Sequence, residues 1–168
     1  MTNYLPPLPS YKGALAAHLE MIRRAAESAS VPLIASLNGM TRKGWTDIAA
    51  LLQEAGAAAL EVNFFHTSTD LRETSAEVER RLIETVREVC ATVTVPVAVK
   101  LSPNFTAPAH LAVEIADAGV SGLVLFGRYY EPDIDLETVS FHPSLRLSAA
   151  QEIRLPLLWI ACWPDRHR

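Results

Sequence analysis

The stretch Val95-Pro96-Val97-Ala98-Val99-Lys100-Leu101-Ser102-Pro103 decides how the rest of the chain is read. Pro96 holds Val95 in extended geometry, and Val97 and Val99 are β-branched, so the segment reads as a strand. Apolar residues at nearly every position point to a strand covered on both faces, as in a parallel sheet. The one cation, Lys100, stands beside a Ser-Pro turn at the carboxyl end, where parallel α/β sheets bind their ligands.

On the N-terminal side, Leu15, Leu19, Ile22 and Ala26 recur at helical spacing and predict a surface helix over 13–29. Residues 31–38 read as a buried strand ending in Asn38, with Gly39 as the turn. Thr41 is placed to cap a helix that carries Trp45, Ile48, Leu51, Leu52 and Ala55, and Gly56 to stop it. Residues 58–64 form the next strand, with Glu61 and Asn63 alternating to one side. After a polar loop at 66–70, Thr74-x-x-Glu77 fits a capping box. It opens a long helix with Val78, Leu82, Val86, Val89 and Cys90 along one stripe. Glu77–Arg81 and Arg80–Glu84 are four apart on its wet side.

On the C-terminal side, a helix is expected over 107–118, ending near Gly119, and a strand over 122–127. Residues 129–135, with Tyr129 and Tyr130, read as a loop covering the strand ends. Ser148 is the expected cap of a short helix, and 155–161 the start of a fifth strand. The chain also repeats itself: Val31-Pro32, strand, helix and Ala55-Gly56 match Val95-Pro96, strand, helix and Ala118-Gly119.

Alternating strands and helices imply parallel strands with right-handed crossovers, in a barrel or a doubly wound sheet. Polar residues at successive strand ends (Asn38, Glu61 and Asn63, Lys100, Arg128) favour the barrel. No Gly-x-Gly-x-x-Gly follows a strand, which counts against a dinucleotide site. The expected class is therefore α/β, a partial (β/α)8 TIM barrel of four to five parallel strands. A closed barrel needs eight strands and about 250 residues, and 168 are present. The expected organisation is an irregular lead-in at 1–12, a partial barrel at 13–161 and a non-native-looking tail at 162–168, such as follows a shifted reading frame. Open sheet edges then invite pairing with another copy, a homo-oligomer.

The net charge of -4, without a basic cluster, gives no reason to expect nucleic acid or a membrane surface as partner. Cys90 and Cys162 form neither a disulfide framework nor a metal-ligand spacing, so no metal is expected and a cytoplasmic setting is.

Five segments resemble dihydroorotate dehydrogenase-like flavoproteins, in order and spacing: Ile34-Ala35-Ser36-Leu37-Asn38-Gly39; Ala55-Gly56-Ala57-Ala58-Ala59-Leu60-Glu61-Val62-Asn63; Val97-Ala98-Val99-Lys100-Leu101-Ser102-Pro103; Gly122-Leu123-Val124-Leu125-Phe126; and Pro132-Asp133-Ile134-Asp135-Leu136-Glu137. The resemblance implies an FMN-dependent oxidoreductase of pyrimidine biosynthesis, acting on CH–CH groups by hydride transfer from a small substrate to flavin. It implies that Lys100 and Asn63 contact the flavin ring, that Asn38 and Phe126 line the cofactor side, and that His66 stands where the family has its Cys or Ser base. The Pro-Asn that follows that base in the family is absent here. Gly127 replaces an asparagine, and the phosphate-binding loops that follow later strands have no counterpart.

Plainer readings stand beside these. Lys100 is also a lysine snorkelling from a strand end, or the partner of Glu61 in a structural ion pair. Asn38 and Asn63 suit turns, and a loop histidine is commonly solvated. The alternatives to the oxidoreductase are a non-catalytic barrel remnant and a Schiff-base lyase with Lys100 as nucleophile.

Overall fold

A computed structural model describes residues 13–39, 41–64, 66–128, 133–142 and 147–162. The expected lead-in, Tyr129 and Tyr130, and the tail beyond Cys162 lie outside the described residues. The first helix, α1, is Ala14–Ser28. Strand and helix then alternate: β1 Ile34–Leu37, α2 Arg42–Glu54, β2 Ala59–Asn63, α3 Ser75–Thr92, β3 Val97–Leu101, α4 Pro108–Asp117 and β4 Gly122–Leu125. The four strands pair in parallel in the order β1-β2-β3-β4. This is an α/β partial barrel.

The core lies between the helices and one face of the sheet. Leu60 and Val62 of β2 and Val97, Val99 and Leu101 of β3 are buried there against Leu52, Leu82, Val86, Val89, Leu111 and Ile115. The opposite face differs from the expectation for β3. Ala98 and Lys100 are only half-buried, so the strand is covered on one face rather than two. Helices cover the outer face; four strands do not curl far enough to cover the inner one.

The helix signals act as read. Thr41 Oγ1 accepts the Gly44 N–H at 3.1 Å and opens α2. Thr74 Oγ1 accepts from Glu77 N–H while the Glu77 carboxylate accepts the Thr74 N–H at 2.8 Å, completing the capping box of α3. Thr74→Ala is expected to cost about 1 kcal/mol of unfolding free energy in a urea titration. The repeat is real in backbone terms. Gly56 and Gly119 end α2 and α4 with φ of 101° and 103°, a region that favours glycine.

Of the two expected ion pairs on α3, Arg80–Glu84 forms, at 2.8 Å. Glu77 is engaged by the cap, and Arg81 turns to Glu73 instead.

Three expectations past β4 are corrected. Residues 155–161 are not a strand but most of a helix, α5 Arg154–Cys162. Pro156 sits in its first turn, where a missing N–H costs nothing. Part of the expected loop at 129–135 is a strand: β5 Asp133–Asp135 pairs antiparallel with β6 Ser140–His142. The short 3-10 turn Ala150–Ile153 is capped at Ala149, whose N–H donates to Glu152, and not at Ser148. Among the described residues, no helix is long and apolar enough to cross a membrane.

Candidate functional site at the carboxyl ends of β2 to β4

Parallel pairing brings the polar strand ends into one row. Ser36 is the Cα partner of Glu61, and Asn63 that of Lys100. Glu61 and Asn63 share the inner face because they are two apart on a strand. The Lys100 ammonium donates to Glu61 Oε1 at 2.6 Å, and the Ser36 hydroxyl donates to the same oxygen at 2.9 Å. The ion pair between Glu61 and Lys100 is thus present. It is partly covered, with the Glu61 side chain 16% and the Lys100 side chain 27% exposed.

An open cleft of about 210 Å³, solvent included, lies beside this row. Asn63, Phe64, Lys100, Leu101, Ser102, Gly127 and Arg128 line it. Its wall is ordered by the backbone. The Gly127 N–H donates to the Leu101 carbonyl at 2.8 Å, extending the β3–β4 pairing. The Ser102 hydroxyl accepts the Asn104 N–H at 3.1 Å. A Cβ at Gly127 would stand 3.2 Å from Lys100 Cγ and Cδ and 3.7 Å from Asn63 Oδ1. Arg128 reaches Glu152, Nε to Oε2 3.5 Å, linking the cleft to the turn before α5.

The structure therefore brings Lys100 and Asn63 together. The other three candidates do not line this cleft. Asn38 is exposed beyond the end of β1. Phe126 packs against the edge of the core. His66 is drawn toward α3, its Nε2 2.7 Å from Glu73 Oε2, with its ring centroid 6.2 Å from that of Phe64.

Glu73 is the centre of a network that single-residue reading missed. Its carboxylate is held to about pKa 2, below the ordinary 4.5, by the Ser68 hydroxyl first, then by His66 and Arg81. A carboxyl whose folded pKa is depressed stabilises the fold above its unfolded value. That contribution is expected to be full above pH 4.5 and to fade as the pH falls toward 2. Hydrogen exchange of the 66–73 segment checks this: protection should drop across that window in the natural chain, and Glu73→Gln should remove the pH dependence.

Two more features were legible only in part. Trp45 lies on the apolar stripe of α2. It is buried, and it also stacks on Phe64 with centroids 6.2 Å apart and planes at 19°. Gly39 lies over its indole, where a Cβ would come within 2.8 Å. Gln53 Oε1 accepts the backbone N–H of Thr94 and Val95, at 2.7 and 3.1 Å, and so ties α2 to the entry of β3. Among the described residues, no group of three His, Cys, Asp or Glu side chains is arranged to hold a metal.

Known proteins bear on this geometry in two ways. The chain is 33% identical over 119 residues to the dihydroorotate dehydrogenase B (NAD(+)) catalytic subunit of Listeria monocytogenes, a match of 67% of this chain and 38% of that one. It is equally identical over 119 residues to the same subunit of Geobacillus kaustophilus, covering 36% of it. The chain thus spans well under half the length of these relatives. No family model matches it. Among solved structures, phosphonopyruvate hydrolase in complex with oxalate and Mg++ superposes with a TM-score of 0.62 at 17% identity, over 98% of this chain and 50% of that one. That likeness carries the barrel fold and nothing about chemistry. The resemblance read from the five segments is borne out by sequence: over two thirds of its length, this chain is similar to dihydroorotate dehydrogenases.

Proposed function

We propose that the cleft beside Lys100 and Asn63 is the ring-side half of an FMN site, in an oxidoreductase that passes hydride between a small substrate and the flavin. The observation that carries this reading is the convergence of Lys100 and Asn63 on one open cleft at the carboxyl ends of β2 and β3. The donor set suits an isoalloxazine edge. An ammonium stabilises negative charge on a reduced ring, and an amide serves both its carbonyls and its N–H. When bound, FMN supplies the hydride chemistry; the chain supplies orientation and charge.

The sequence kinship with dihydroorotate dehydrogenases supports the same reading. The substrate is a proposal at a coarser level, a small molecule with an oxidisable CH–CH unit. By its place in the sequence His66 is the proposed base; its ring is turned to Glu73, so the role requires it to swing toward the cleft.

The test is the absorbance spectrum of the protein expressed and purified with excess FMN. A flavin spectrum, with FMN released on denaturation, is the expected result. A colourless, folded protein would sink the proposal and favour the second reading, a barrel segment without catalysis. That second reading draws on the Glu61–Lys100 pair, which satisfies the lysine internally. A Schiff-base lyase would need the Lys100 nitrogen released from Glu61 to attack a carbonyl. Trapping of a carbonyl compound on Lys100 by borohydride would favour that reading. Self-association through β1 and β4, the two edges of the four-stranded sheet, is also proposed. Sedimentation of the purified chain checks it, a monomer at all concentrations being the opposing result.

A further inference from the structure

We infer that Glu61 is a positioning residue for Lys100, acting with Ser36 and Gly127, and that it sets how much positive charge the end of β3 presents to the cleft. The inference rests on the flavin reading above for its consequence, but its geometry stands on the row of contacts itself. Glu61 is the Cα partner of Ala98, so it lies two residues deeper along the sheet than Lys100. To meet it at 2.6 Å the lysine leans back across β2 rather than out to solvent. Ser36, on the next strand over, fixes the same carboxylate oxygen at 2.9 Å. On the other side, the Lys100 stem runs past Gly127, where a Cβ would meet Cγ and Cδ at 3.2 Å. Any side chain there forces the stem or the strand end to give. Each of the three neighbouring strand ends thus constrains Lys100: two by a hydrogen-bond relay, one by leaving space.

The electrostatic consequence follows from the charge count of the row. One ammonium and one carboxylate, both partly covered, interact more strongly than exposed charges do. A negative ring facing Lys100 also faces Glu61 behind it. Glu61 therefore weakens the stabilisation of reduced flavin that Lys100 alone would give. Neutralising Glu61 while keeping its shape raises the flavin midpoint potential, and it frees the ammonium to move.

Two measurements test this separately. In protein with 15N-labelled lysine and no added flavin, the Lys100 ammonium is followed by NMR in the natural chain, in Glu61→Gln and in Gly127→Ala. Proton exchange at Lys100 should be about tenfold faster or more in Glu61→Gln, the loss of one charge-assisted hydrogen bond. Gly127→Ala should shift the Lys100 signal with the Glu61 contact still made. Unchanged Lys100 signals in both variants would overturn the positioning role. In FMN-loaded protein, the midpoint potential should rise in Glu61→Gln, and the rise should be smaller when Lys100→Met is added to both chains. A potential that does not move, or that moves equally without Lys100, would overturn the tuning of Lys100. If the natural chain takes up no FMN, the flavin reading fails, and the Lys100 signal still decides whether Glu61 holds the ammonium.

Discussion

Leu60→Ala is expected to lower the unfolding free energy by about 2–5 kcal/mol. Leu60 sits on an inner strand of the sheet, paired through its Cα with Ala35 on one side and Val97 on the other. Its backbone N–H donates to the Pro96 carbonyl at 2.9 Å, so the main chain cannot easily shift to fill a void. The side chain is fully buried on the helix-facing side. Truncation removes apolar contact and leaves a cavity between β2 and the helices, and both terms destabilise. Asn63→Ala, three residues on and on the half-open face, is expected to change stability by less than about 1 kcal/mol. Urea unfolding of the two variants with an unchanged slope decides the matter. Equal losses would mean that the core does not lie on the side described.

Lys100→Met is expected to weaken FMN binding by about 10- to 100-fold, the cost of one hydrogen bond to a charged group. Methionine keeps an unbranched stem beside Gly127 and removes only the ammonium. The variant leaves Glu61 with the Ser36 hydroxyl and access to water, so the chain should remain folded. Titration of FMN fluorescence against the natural and variant chains measures the difference. Equal affinities would remove Lys100 from the ring site and leave it as the structural partner of Glu61.

Much of the fold was legible because its signals are local. The Thr41 and Thr74 caps, the glycines at 56 and 119 and the helical stripes depend on residues within a few positions of one another. The Glu61–Lys100 pair was also within reach, since strand alternation and parallel pairing place both on one inner face. The errors lie where local signals are ambiguous. The apolar run at 155–161 suits a strand or a helix, and Pro156 is at home in a first helical turn. The β5–β6 hairpin is short and polar, and its turn puts Val139 at a φ of 51°, which no turn rule assigns to a β-branched residue.

Other contacts that pack one element against another were not legible. Gln53 on the backbone before β3, Arg42 bridging to Glu84 and Glu88, and Glu73 gathering His66 and Arg81 join residues that no periodicity links. The sequence by itself determined the alternation of strands and helices, the parallel sheet and the residues at its carboxyl ends, because hydrophobic period, caps and strand-end polarity are properties of short stretches. The tertiary structure alone decided which of those residues share a cleft, that His66 turns to Glu73, and that Lys100 is held between Glu61 and the bare backbone of Gly127. Those outcomes depend on register and on distances between strands and helices far apart in the chain, and these are set only when the layers pack.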